Sequence, residues 1–171
     1  MSKILVITTA TDYVHDCIDA ASQCVRKLAA EFKLETFVSA DIAAYFDDYP
    51  SLQQFSLIVF NNNSGELFNA KQKTVFEQYV KDGRALLGIH AATAAFLSGE
   101  DATGATVMGT TYPFFADVWG ASFTDHPPLH DGTVQLNVAA CDELGLKLPT
   151  PYTTNDEWYA QCRADYRIWR V

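Results

Sequence analysis

Apolar and polar positions along the first half of the chain fall into blocks whose length and period each name an element. Residues 3–8 open on the apolar run Ile4-Leu5-Val6-Ile7 and end in small polar residues, the pattern of a strand buried in a parallel sheet. After a loop over residues 9–15, Ile18, Ala21, Val25, Leu28 and Phe32 recur with the 3.6-residue period of an amphipathic helix. Residues 34–38 and 57–60 read as a second and a third strand, and the third stops at the polar loop Asn61-Asn62-Asn63-Ser64-Gly65. Asn69 with Gln72 three positions on predicts a capping box. The helix that follows has Val75, Phe76, Tyr79 and Val80 on one face and Gly83 at its stop. Residues 85–89 form a fourth strand.

Beyond that strand the pattern loosens. Residues 98–109, rich in Gly, Thr and Ala and without a period, read as a loop. Residues 112–119 predict a short helix, with Pro113 in its first turn and Gly120 just past its end. Residues 133–138 alternate well enough for a strand, and 166–171 read as a last one. Buried strands alternating with helices predict an α/β fold in one domain spanning 1–171: a doubly wound, mostly parallel sheet with helices on both faces. Ligands in such sheets sit outside the carboxyl ends of the strands.

At one such end stands Gly88-Ile89-His90-Ala91-Ala92, which has the shape of a nucleophile elbow. Small neighbours let the backbone turn sharply from strand into helix and push the middle side chain out above the sheet. Here that side chain is imidazole, a base, an acid or a metal ligand, where acyl-transfer enzymes place Ser or Cys. A glutamine amidotransferase is therefore excluded.

Composition narrows the chemistry further. With 49% hydrophobic and 13% aromatic residues in 171, a full core is affordable to the chain, and a net charge of −9 leaves no basic surface for nucleic acid or anionic membranes. A neutral small molecule, or one held through a metal, fits that charge. The four-residue run Ile4–Ile7 is too short for a signal peptide or a membrane span, so the expected compartment is the cytoplasm. Cys17, Cys24, Cys141 and Cys162 show no CxxC spacing and read as reduced, mostly buried thiols.

All four histidines lie in loops or turns. Gathering the polar residues of the strand-end loops gives Asp12, Tyr13, His15 and Asp16 after the first strand, Asn61 to Asn63 after the third, and His90 and Thr93 after the fourth. His126 and the cluster Asp156-Glu157-Trp158-Tyr159 follow later in the chain.

Four stretches, Thr11-Asp12-Tyr13-Val14-His15-Asp16, Gly88 to Thr93, Gly120-Ala121-Ser122-Phe123 with His126-Pro127, and Asp156 to Tyr159, together resemble the marks of ThuA-like proteins, in order and spacing. The family takes its name from trehalose utilisation. The resemblance implies a class I glutamine amidotransferase-like, flavodoxin-like fold with histidine in place of the nucleophilic cysteine, and a link to sugar uptake and catabolism. ThuA-like domains continue past the Asp-Glu-Trp-Tyr motif, so a chain ending at Val171 reads as a shortened or incomplete member.

The expected function is carbohydrate processing, hydrolase- or isomerase-like, with His90 and Glu157 sharing proton transfer. Asp12, His15, Asn61, Thr93, His126, Asp156, Trp158 and Tyr159 are the expected substrate contacts, the aromatic pair by stacking on a pyranose. In one version His15, His90, His126 and Glu157 hold a divalent Zn²⁺ or Mn²⁺, since imidazole and carboxylate suit both ions. The alternative is a non-catalytic ligand-binding or interaction protein that keeps the fold. A sheet edge left uncovered makes a homo-oligomer the expected partner state beside the sugar.

Overall fold

The apolar runs become four parallel strands, β1 (Lys3–Ile7), β2 (Glu35–Ser39), β3 (Phe55–Asn61) and β4 (Ala85–Ile89), side by side in the order β2-β1-β3-β4. The structure is a computed structural model that describes residues 2–100, 106–143, 145, 147 and 149–162. For 98–100, 106–109, 140, 161 and 162 it describes the backbone only. The strand expected over 166–171 lies outside the described residues.

Register decides which side chains share a face. Leu5 lies beside Ile58 and Ile58 beside Leu86, so these three point one way with Ile7 and Phe60. On that face they meet α2 (Ala43–Phe46), α3 (Tyr49–Gln53), α4 (Ala70–Lys81) and α5 (Pro113–Trp119). Phe60 is fully buried, with Phe68, Phe76, Phe115 and Trp119 around it at ring separations of 5.3–6.3 Å. Ile4, Val6, Val59 and Ile89 point the other way, toward α1 (Ile18–Glu31). Helices therefore cover both faces, as the alternating pattern predicts.

Local signals act where the sequence places them. Asn69 Oδ1 accepts from Gln72 N, and Gln72 Oε1 from Asn69 N, both at 3.0 Å, which completes the capping box of α4. Gly120 ends α5 in the left-handed conformation at φ 70°. The short α2 and α3 are absent from the sequence reading, because four- and five-residue helices are too brief to show a period.

Three expectations need correction. Within α1 the buried residues are Ser22 and Ala29, whereas Leu28 and Phe32 are 53% and 74% exposed, so the face on the sheet is rotated from the apolar stripe. Cys17 and Cys24 are exposed rather than buried. The stretch 98–109 is no simple loop: β5 (Leu97–Glu100) pairs antiparallel with β6 (Thr106–Thr110), a backbone pairing that needs no alternating pattern.

The chain forms two compact units, a larger one of Met1–Phe123 that the chain rejoins at Cys162, and a smaller one over Thr124–Gln161. In the smaller, β8 (His130–Val134) pairs antiparallel with β9 (Tyr152–Asp156). β8 lies earlier than the expected 133–138: it opens at His130, which pairs with Asp156, and it cannot run to 138 because Val138 opens α6 (Val138–Glu143). β7 (Ser122–Asp125) pairs with β10 (Ala160–Cys162), where the Thr124 hydroxyl donates to the Ala160 carbonyl at 3.0 Å. Among the described residues no helix is long and apolar enough to cross a membrane.

Candidate functional site

The strand order makes a crevice where β1 and β3 meet. The chain leaves β1 toward β2 and later returns on its other side as β3, so the loops at their carboxyl ends diverge. In this chain those loops are residues 8–17 and Asn61-Asn62-Asn63-Ser64. They are tied together by side chains rather than left open.

Each asparagine of the run has a separate task. Asn61 is fully buried, and its Nδ2 donates to the Ile18 carbonyl and to Ser22 Oγ, both at 2.9 Å, pinning the start of α1. Asn62 takes φ 55°, a backbone state asparagine tolerates better than most residues. Its Nδ2 donates to Asn61 Oδ1, its backbone N–H to the Ile89 carbonyl, and its Oδ1 accepts from Cys17 Sγ at 3.5 Å. Asn63 Nδ2 donates to the carbonyls of Ile7 and Thr9. Ser64 Oγ then donates to the Tyr13 carbonyl at 2.6 Å, and Thr11 N donates to the Ser64 carbonyl at 2.9 Å. Buried amides are costly unless bonded, so this set holds the first loop in place. Asn61, expected to contact substrate, has both its N–H groups and its oxygen bonded inside the protein.

Gly65 completes the seam. It takes φ 74°, and a Cβ there would stand 2.3 Å from Thr11 Oγ1 and 3.0 Å from Asp12 N, so only glycine lets the two loops approach this closely.

The sharp bend expected at the end of β4 is present. Ile89 is extended, His90 turns to φ 47°, and a single 3₁₀ turn over His90–Ala94 follows. A Cβ on Gly88 would lie 3.0 Å from Ala92 Cβ and 3.1 Å from the Trp119 ring, so the small residues of the motif make room for the bend. The elbow leads into one 3₁₀ turn rather than a long helix, since Ala95 is extended and Phe96 takes φ 58° before β5. A non-glycine residue held in the left-handed region stores strain, and such residues cluster at functional sites.

Beside the elbow, the first loop delivers two more rings. Tyr13 meets His15 edge-on with centroids 4.8 Å apart, and His15 meets His90 edge-on at 4.9 Å. Ring nitrogens of His15 and His90 come within 4.8 Å of each other. His90 is exposed and His15 half-buried, so one ring is supported and the other reaches solvent. Asp12 is exposed on the same loop, and Thr93 is half-buried on the 3₁₀ turn.

The smaller unit holds the remaining expected residues. His126 Nδ1 lies 2.9 Å from the Pro127 carbonyl, an acceptor, so Nδ1 carries the proton and Nε2 has the lone pair in the neutral ring. Nε2 stands 3.9 Å from Glu157 Oε2, and Tyr159 stacks on the imidazole at 5.5 Å and 16°. Trp158 lies flat on β8: a Cβ on Gly132 would come within 2.1 Å of the indole, whose Nε1 donates to the His130 carbonyl at 3.0 Å. Asp156 is exposed at the end of β9, where its Oδ1 accepts from the Glu157 N–H at 2.8 Å. Thus His15 and His90 come together in the larger unit, and His126 and Glu157 in the smaller. Tyr13, gathered with the strand-end residues but not among the expected substrate contacts, stands against His15, and Cys17, beside the first motif, is an addition.

The trehalose-utilisation family, ThuA, matches residues 3–170. The chain is also similar to a solved ThuA-like protein from Bacteroides uniformis, with a TM-score of 0.69 at 19% identity, over 94% of this chain. It spans 61% of the length of that protein. No curated protein matches.

Proposed function

Because the chain belongs to the ThuA family of trehalose utilisation, we propose that it processes a neutral disaccharide or keto-sugar, with the His90 imidazole moving the proton. The observation that carries this reading is His90 at φ 47° on an exposed elbow, edge-on to His15. A strained, solvent-facing imidazole backed by a second ring is held in one orientation, and orientation is what proton transfer to a sugar oxygen requires. Asp12 and Thr93, on the two flanking segments, offer groups to sugar hydroxyls. Glu157, as the carboxylate acting with His90, and His126, Asp156, Trp158 and Tyr159, as substrate contacts, enter the proposal on the sequence motifs.

A second version places Zn²⁺ or Mn²⁺ on His15 and His90, and is supported by their separation. Two imidazoles that bind one ion at about 2.0–2.1 Å bring their centroids to roughly the spacing seen here. Such an ion would polarise a sugar oxygen or lower the pKa of a bound water.

The test is a screen of disaccharides and their keto derivatives for binding and turnover, with His90→Ala beside the unaltered chain. Turnover that disappears in His90→Ala while the fold persists supports the proposal. Binding without turnover in the unaltered chain points to the ligand-binding alternative, and neither binding nor turnover with any sugar sinks both. Metal analysis before and after chelation decides the second version, which predicts one ion per chain, lost in His15→Ala.

A further inference from the structure

Among the described residues of the larger unit two aromatic side chains are exposed, Tyr13 at 66% and Phe32 at 74%. Phe32 closes α1 shortly before β2 begins, so it lies at the amino-terminal edge of the strands, away from the crevice. Tyr13 lies in the loop after β1, at the carboxyl edge where ligands of such sheets bind. That loop is held through its backbone: Ser64 Oγ donates to the Tyr13 carbonyl at 2.6 Å, and the Thr11 N–H to the Ser64 carbonyl at 2.9 Å. The ring is not what holds it.

His15 meets the Tyr13 ring edge-on at 4.8 Å, and an edge-on neighbour takes up at most one face, so at this exposure the other is open to solvent. A flat apolar face beside a solvent-facing imidazole fits a pyranose, which has a face of C–H bonds and a rim of hydroxyls. From Tyr13 to His15 to His90 the centroids step 4.8 and 4.9 Å, a reach that two linked sugar rings cover. A ring stacked on Tyr13 therefore brings the bond to its neighbour within range of His90. Charge sets the kind of sugar. Asp12 and Asp16 are exposed on the same loop, and residues 8–17 hold no lysine or arginine. Carboxylates accept hydroxyl hydrogens and repel phosphate.

We propose that Tyr13 is the stacking platform for an uncharged pyranose, a subsite beside His90 that holds the neighbouring unit of a disaccharide. The inference rests on the sugar reading above and adds the residue that binds and what it selects. Trehalose, maltose, sucrose and their keto derivatives are titrated into the 171-residue chain, Tyr13→Leu and Tyr13→Phe, with the fold followed by far-UV circular dichroism. The side chain is exposed, so both substitutions leave the core intact. Leucine stays apolar but removes the ring, so the dissociation constant of the sugar that binds should rise about tenfold, and phenylalanine should restore it. In NMR spectra the protons on one face of the bound sugar should shift upfield, the mark of lying over an aromatic ring, and that shift should vanish in Tyr13→Leu. The phosphorylated form of the same sugar should bind more weakly. Equal affinity in Tyr13→Leu, an upfield shift that survives it, or a loss of affinity with no such shift in the unaltered chain overturns this inference and leaves the sugar reading standing. So does a phosphorylated sugar that binds as tightly or more tightly. Binding of none of these sugars removes the sugar reading and this inference with it.

Discussion

The parallel sheet of the larger unit and the β8–β9 hairpin of the smaller are both built from short paired strands, yet they are held by different forces. Ile4 to Ile7 in β1 and Ile58 to Asn61 in β3 are all buried, and their side chains meet helices on both sides. In β8 and β9 no residue is buried, and order comes from the backbone ladder, the Thr133–Thr153 hydroxyl pair at 3.1 Å, Asn155 on Asp131 at 2.9 Å, and Trp158 flat on Gly132. The histidines follow suit. His15 and His90 are placed by a bonded seam between distant segments, whereas His126 and His130 are each held by a proline carbonyl one or two residues away. Precision at a site comes from the larger unit, and local adaptability from the smaller.

The comparison can be broken most forcefully at Phe60. Phe60→Ala should cost about 3–5 kcal/mol of unfolding free energy, measured by denaturant melts, whereas Thr153→Ala in the hairpin should cost under about 1 kcal/mol. Equal losses would mean that burial does not separate the two regions. Asn61→Ala should cost about 1–3 kcal/mol, because it leaves Ser22 and the Ile18 carbonyl short of a donor. Asn61→Asp should not rescue it, since a carboxylate has no N–H to give. A rescue by Asp would show that the loop seam does not depend on those two donated bonds.

Smaller effects sharpen the contrast. Gly132→Val should lift Trp158 from β8, shifting its fluorescence, while the melting of the sheet stays where it was; a matching loss in the sheet would deny the hairpin its independence. His90→Gly should stabilise the fold by about 1 kcal/mol through relief of the left-handed residue, and abolish sugar turnover. Stability unchanged or reduced would remove the strain argument. The smallest effect concerns acid. The Ser51 N–H and hydroxyl bond the Asp48 carboxylate at the start of α3 and hold its pKa below the ordinary value. A depressed folded pKa gives stability that is present above the unfolded value and lost as pH falls through the folded one. The difference between the unaltered chain and Asp48→Ala should therefore be constant near neutrality and vanish in strong acid, and a difference that grows in acid would contradict it.

Much of this was legible in the chain. Buried parallel strands announce themselves as continuous apolar runs, and capping boxes, stop glycines and the Gly88–Ala92 elbow act through neighbours within five residues, so β1, β3, α4 and the bend at His90 could be read directly. The orientation of α1 could not, because Leu28 and Phe32 satisfy the helical period while the sheet selects the adjacent face with Ser22 and Ala29. Asn61 looked like a ligand because it is polar at a strand end. Its bonds to Ile18 and Ser22, more than thirty residues away, could not be read from the chain.

The sequence by itself determined the four parallel strands, the helices α1, α4 and α5, the family and the bend at His90, since each rests on local pattern or on motif order. The tertiary structure alone decided that His15 stands against His90, that three asparagines lock the loops beneath them, and that one flank of α1 stays exposed. Those outcomes depend on which distant segments the packed sheet brings together, and local periodicity carries no term for that.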